Sequence, residues 1–348
     1  MNRFDPIVCS KLSEWLLTDV KRAVIIPHIN PDGDAIGSAF GLNRILLNAG
    51  IESVVISPDK SPSYLNWLGK NAKALIYKNN KKVCDQLIDG ADVLFFLDFN
   101  DIKRLGKLAD YPAFAGSKPI VLIDHHPDPE IKTDWLFSAI DVSSTSELVY
   151  NFLEETRLIA YLDQESSELL LTGIMADTGS FSHNAARPAM FRIVGRLIEM
   201  GADKERINTL LFNNFSEKRM RLLGHCLSQK MEVFPDFHTA LIWLSKEELK
   251  EYDFHPGDTE GFVNYPLSIK GIVFAAFFME MSDIVKISFR SKGNFATNEF
   301  AATHFFGGGH RNASGGEIKL PMAEALKLFR QVLPLYKDQL NKESKNLS

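Results

Sequence analysis

The chain has 348 residues, 45% apolar and 24% charged, the balance of an ordinary globular protein with length enough for two domains. No apolar run reaches the roughly 18 residues of a membrane helix, and the start, Met1-Asn2-Arg3-Phe4-Asp5, lacks the basic-then-apolar layout of a secretory leader. Net charge is −5, and no aromatic-studded basic stretch of the kind that tracks a long nucleic-acid backbone stands out.

That charge is uneven: residues 261–348 carry 11 Lys and Arg against 7 Asp and Glu, a balance of +4, which leaves the first 260 residues at −9. An acidic front suits a cation site, and a mildly basic rear suits a phosphate-bearing ligand. Cys9, Cys84 and Cys226 lie far apart with no Cys-x-x-Cys pair. This is the usage of reduced thiols and predicts a cytoplasmic protein.

In chain order, residues 10–19 read as a helix capped by Ser10. Ala23–Ile26 is an apolar run that reads as a buried strand. It ends in His28-Ile29-Asn30-Pro31-Asp32-Gly33-Asp34, and Ala35–Asn48 has helical spacing. Ser53–Ile56 reads as a second strand, and Lys81–Leu87 as a short helix. Ala91–Leu97 is a third strand, ending in Asp98. Pro119–Ile123 is a fourth, ending in Asp124-His125-His126. Trp135–Ile140 is a further strand candidate. Ser144-Thr145-Ser146-Glu147 opens a helix through Glu155. Ser166–Ala176 reads as an apolar helix running into Asp177-Thr178-Gly179, and helices follow over 187–200 and 203–212.

Residues 213–231 predict a linker helix, dividing a first domain at 1–212 from a second at 232–340. In the second, 239–244, 271–278, 284–290 and 317–320 read as strands, and 298–305 and 322–336 as helices. Phe305 and Phe306 are placed in the core, and residues 340–348 read as a frayed end. The fold class expected is α/β: a mostly parallel, doubly wound sheet joined by the linker helix to a smaller α/β domain with a mixed sheet.

Three apolar strands ending in Asp or His deliver those groups to one sheet edge, where open α/β sheets place their sites. The Asp177 tip adds a fourth. His nitrogen and Asp oxygen together suit Mn²⁺, Zn²⁺ or Fe²⁺. Clustered carboxylates repel and raise one another's pKa, which divalent cations relieve. The number of ligands suits two ions sharing one Asp, an arrangement that activates water against phosphorus.

His28-x-Asn30-Pro31-Asp32-x-Asp34, the Asp98 tip, Asp124-His125-His126 and Ala176-Asp177-Thr178-Gly179 resemble the four motifs of the DHH phosphoesterase family. The run Gly307-Gly308-Gly309-His310-Arg311-Asn312-Ala313-Ser314-Gly315-Gly316 resembles the glycine-rich motif of its associated C-terminal domain. Length and order are most similar to the nanoRNase branch. The resemblance implies two divalent ions of the Mn²⁺ type: one on His28, Asp32 and Asp98, the other on Asp34, Asp98, His125 and Asp177. Asp98 would bridge them, and catalysis would rest on Asp98, His125 and His126. His126 would face the phosphate, and Asp124 would orient His125 or support its turn.

For substrate the resemblance implies Arg290, Gly307, Gly308, Gly309, His310, Ser314 and Asn264, the glycines letting backbone approach a phosphate. Expected substrates are very short RNA or DNA oligonucleotides and 3′-phosphoadenosine 5′-phosphate. No membrane partner and no obligate protein partner is expected, and a homodimer remains open. Two alternatives stand: another enzyme of the family, acting on polyphosphate, pyrophosphate or linear or cyclic dinucleotides, and a non-catalytic nucleotide-binding module.

Overall fold

The structure is a computed structural model, and it describes residues 3–69, 74–116 and 118–347. The chain divides into two compact units, Met1–Asn214 and Phe215–Ser348.

The first unit holds strands β1 (Arg22–Pro27), β2 (Glu52–Ser57), β3 (Leu75–Ile76), β4 (Val93–Leu97), β5 (Ile120–Asp124) and β6 (Trp135–Ser138). Its helices are α1 (Pro6–Thr18), α2 (Gly33–Asn48), α3 (Tyr77–Gly90), α4 (Thr145–Glu155), α5 (Gln164–Asp177), α6 (Pro188–Glu199) and α7 (Lys204–Phe212). The strands form one parallel sheet in the order β3-β2-β1-β4-β5-β6.

Alternate residues of the central strands enter two separate cores. Ala23, Ile25, Phe95, Val121 and Ile123 pack beneath α1, α2 and α4–α7. Val24, Ile26, Leu94, Phe96 and Leu122 pack toward α3 and the turns after β4. A sheet covered on both faces explains why these strands are continuously apolar. Strand order reverses at β1 and β4, and such a switch point opens a crevice at the strands' carboxyl ends.

The helices around the crevice pack closely. A Cβ on Gly37 of α2 would lie 2.7 Å from the Leu169 carbonyl oxygen of α5. One on Gly173 of α5 would lie 1.9 Å from Ser146 Oγ and 2.7 Å from Asp34 Oδ1. Only hydrogen fits there, so the start of α2, the start of α4 and the end of α5 meet.

The second unit holds β7 (Met231–Phe234), β8 (Thr239–Leu244), β9 (Phe274–Glu280), β10 (Val285–Ser291), β11 (Gly308–His310) and β12 (Ala313–Ile318). Its helices are α8 (Glu217–Gln229), α9 (Lys246–Glu251), α10 (Thr297–His304), α11 (Met322–Val332) and α12 (Lys337–Asn346). The sheet order is β11-β12-β10-β9-β8-β7, and it is mixed: β8 and β9 run parallel, the other neighbours antiparallel. One face carries a phenylalanine-rich core of Phe274, Phe278, Phe289, Phe300, Phe305 and Phe329. The other packs Leu222, Leu223 and Cys226 of α8 with Ile242, Ala275, Phe277, Phe262 and Val263. The helix read as a linker thus contributes side chains to this unit's core.

Several expectations need correction. Helix α1 begins at Pro6, with Asp5 rather than Ser10 as its cap. The end read as frayed is helix α12, whose Leu340, Glu343 and Ser344 are buried; the Glu343 carboxylate accepts the Asn294 N–H at 2.8 Å. Phe305 is buried as expected, but Phe306 is 86% exposed. Among the described residues no helix is long and apolar enough to cross a membrane.

Candidate metal centre and phosphate shelf

Strand register places the first candidate ligands. Pro27 of β1 pairs with Leu97 of β4, so the next residues, His28 and Asp98, emerge side by side. Leu97 pairs with Ile123 of β5, which brings Asp124, His125 and His126 to the same edge. Asp98 has φ of +68°, a conformation disfavoured for a side chain and concentrated at functional sites.

The remaining candidate ligands come from helix ends. Asp32 caps α2, its Oδ1 accepting the N–H groups of Asp34 and Ala35 at 3.0 Å each. Asp34 lies in the first turn of α2. Asp177 is the last residue of α5, where a loop at the sheet edge was expected.

These side chains converge on one another. His28 Nε2 lies 3.5 Å from Asp98 Oδ2, and His125 Nε2 lies 3.6 Å from Asp98 Oδ1 and 3.8 Å from Asp177 Oδ2. His28, Asp32 and Asp98 each offer a ligand atom within 4.8 Å of the others, and so do Asp34, His125 and Asp177. Ligand atoms about 2.1 Å from a shared ion stand roughly 3–4 Å apart, so the spacing suits cations between them. His28 Nδ1 is 2.6 Å from the Ile29 carbonyl oxygen; donating there, it leaves Nε2 as the nitrogen able to ligate a cation.

Electrostatics point the same way. Asp34, Asp98 and Asp124 are each at most 2% exposed. Burial, and then the charges of Asp98 and Asp177, push the Asp34 carboxyl well above the usual range. For Asp98 burial acts upward too, but the His28 contact and the charges of His28, His126 and His125 outweigh it and hold the carboxyl well below that range. Asp124 Oδ2 is buried with no hydrogen-bond partner among the described residues. Such a concentration of buried oxygen donors is stable only against positive charge. The residues present fit divalent cations.

Asp124 Oδ1 lies 2.7 Å from Nδ1 of His126.

Sequence reading passed over a further group. The start of α4 faces the cluster: Thr145 and Ser146 donate backbone N–H to the two oxygens of Asp34 at 2.6 and 2.9 Å. The Thr145 hydroxyl donates to Asp98 Oδ1 at 2.8 Å. The signal was present in Ser143-Ser144-Thr145-Ser146, more hydroxyls than one helix cap requires.

In the second unit the structure gathers some of the expected substrate residues and separates others. His310 pairs with Ala313, and Ala313 with Arg290. Directly paired residues share a sheet face, so Arg290 and His310 flank the small Ala313 as a shelf. The turn Phe262–Ser268, which carries the exposed Asn264, packs on the same face. Ser314 pairs with core residue Phe289 and so points to the opposite face; its Oγ is buried and unpartnered among the described residues.

The glycines also divide. A Cβ on Gly307 would lie 1.9 Å from the Gly315 carbonyl oxygen, and one on Gly309 2.8 Å from that of Ala313. Both accommodate the chain's own backbone. Gly308 alone of the three faces open space.

The chain is similar to known proteins. The DHH family N-terminal domain matches residues 22–174, and the DHHA1 domain matches residues 239–334. The chain is 28% identical over 316 residues to a probable bifunctional oligoribonuclease and PAP phosphatase NrnA of Streptococcus mutans, covering 90% of this chain and 94% of that one. It is 27% identical over 297 residues to the bifunctional oligoribonuclease and PAP phosphatase NrnA of Bacillus subtilis, covering 84% and 87%. The crystal structure of an exopolyphosphatase-related protein from Bacteroides fragilis superposes with a TM-score of 0.93 at 39% identity, covering 98% of this chain and all of that one.

Proposed function

We propose, because this chain belongs to the DHH family, that it is a metal-dependent phosphoesterase. It hydrolyses very short oligoribonucleotides to mononucleotides and removes the 3′-phosphate from 3′-phosphoadenosine 5′-phosphate. One observation carries the chemistry: the two oxygens of Asp98 face different histidines, Oδ2 toward His28 and Oδ1 toward His125. That is the disposition of a carboxylate shared by two cation sites. The choice of substrate is supported by the two relatives, which carry both activities in their names and match over most of their length.

His28, Asp32 and Asp98 would hold one divalent ion, and Asp34, Asp98, His125 and Asp177 the other, with Mn²⁺ the best fit to the mixed donors. When bound, such ions supply positive charge against the phosphoryl oxygens and lower the pKa of the attacking water. The chain's own groups do the rest. Asp124 fixes His126 by accepting from Nδ1, so that His126 holds or hands over a proton at Nε2. Arg290, with a guanidinium suited to phosphate oxygens, and His310 grip the substrate, together with the open backbone at Gly308.

The test is a substrate panel with Mn²⁺: a dinucleotide, a pentamer, a long single strand, 3′-phosphoadenosine 5′-phosphate and polyphosphate. The second unit carries no long basic, aromatic-studded run, so few phosphates are engaged. kcat/KM should peak at about two to five nucleotides and depend weakly on salt. Faster processive decay of the long strand, or turnover of polyphosphate alone, would contradict the proposal.

A further inference from the structure

Thr145 touches two carboxylates of the metal centre at once. Its backbone N–H reaches Asp34 Oδ2 at 2.6 Å, and its hydroxyl reaches Asp98 Oδ1 at 2.8 Å. The residue is fully buried. Capping does not account for that hydroxyl, because Ser144 is the cap of α4 and its own oxygen accepts the Glu147 N–H.

The turn holding Thr145 is itself pinned. Glu147 is 1% exposed. It accepts the N–H and hydroxyl of Ser143 at 2.7 Å each, and Arg187 Nη2 lies 2.8 and 2.6 Å from its two oxygens. Glu147 is the buried partner of this ion pair, and removing Arg187 would leave its carboxylate buried with its charge uncompensated. The start of α4 is therefore a rigid base rather than a fraying helix end.

We propose that Thr145 is a positioning residue for the metal centre: its hydroxyl fixes the carboxylate plane of Asp98, and its N–H fixes Asp34. This rests on the reading of Asp34 and Asp98 as metal ligands. Asp98 leaves a strand end with φ of +68°, so the sheet ladder does not set its side chain. One donor on Oδ1 stops the carboxylate from rotating and holds one oxygen toward each histidine. A carboxylate oriented in advance loses less freedom on binding, and outer partners of this kind are typically worth 10–100-fold in metal affinity.

The test is calorimetric titration of Mn²⁺ into the metal-stripped full chain, for the native protein, Thr145→Ser and Thr145→Val, with thermal melting of each metal-free protein. Ser keeps the hydroxyl and should bind Mn²⁺ within a few-fold of native. Val should bind about 10–100-fold more weakly, while the metal-free melting points of the two variants agree. If Val does not fold, Thr145→Ala makes the same comparison. Native affinity in the hydroxyl-free variant overturns the inference, and so does an equal loss in the Ser variant. A native protein that binds no Mn²⁺ overturns the metal reading itself, and this inference with it.

Discussion

Nδ1 of His126 lies 2.7 Å from Oδ1 of Asp124, in a pair where Asp124 is wholly buried. A buried carboxylate against one ring nitrogen fixes both tautomer and ring plane, as in other acid–histidine pairs. Asp124→Asn should therefore impair proton handling at His126 far more than metal binding. We expect kcat on a dinucleotide to fall by about 10²–10⁴ with the number of bound ions unchanged. A kcat within threefold of native would remove His126 from the chemistry.

Gly173 keeps α5 against α2 and α4. Because its added Cβ would stand 1.9 Å from Ser146 Oγ, Gly173→Ala must move a buried element. Overpacking of this kind costs about 1–3 kcal/mol, so the metal-free melting temperature should drop by several degrees. Mn²⁺ affinity should fall as well, since Asp34 Oδ1 is 2.7 Å from the same point. Unchanged melting would show that the helices have slack.

Arg290 belongs to a different unit from the proposed metal ligands. Arg290→Ala should raise KM for a dinucleotide by roughly tenfold or more, the value of a charge-assisted hydrogen bond. Bound metal should stay at the native count. Loss of metal in this variant would contradict the division of labour.

Asp163 sets an acid limit on stability. Burial acts upward on its carboxyl, but the Ser166 N–H, Asn48, the Ser166 hydroxyl and Arg44 together hold it at about 2. A depressed carboxyl binds its proton less readily folded than unfolded, so its contribution is present above about pH 4 and is lost as pH falls toward 2. The side chain is 32% exposed, so the contribution is about 1 kcal/mol after solvent screening. Unfolding of the metal-free protein followed from pH 5 to pH 2 should show a shallower loss for Asp163→Asn than for native. Parallel curves would contradict this.

The clustering of the candidate ligands was legible because each of β1, β4 and β5 is an apolar run cut off by Asp or His, and a parallel sheet collects such ends at one edge. Asp177 is different: it ends a helix, and the close α2–α5 packing at Gly33, Gly37 and Gly173 brings it near Asp34. Thr145 was hidden because helix-opening hydroxyls are common and their targets lie far away in sequence. The Ser314 orientation depends on register with Phe289, which strand spacing alone does not supply. Helix α12 was missed because nine of its ten residues are polar or charged, Leu340 being the exception, so it shows no apolar periodicity.

The shared position of Asp98 between His28 and His125 is the centre of the account, and Asp98→Asn tests it most directly. Release of mononucleotides from a dinucleotide, measured with Mn²⁺ beside a count of bound ions, should fall by roughly three orders of magnitude or more. It should also fall further than in any variant that removes a ligand of one site only, while the isosteric change leaves the chain folded. If Asp98→Asn keeps more than about a tenth of native turnover, the two-cation assignment is wrong.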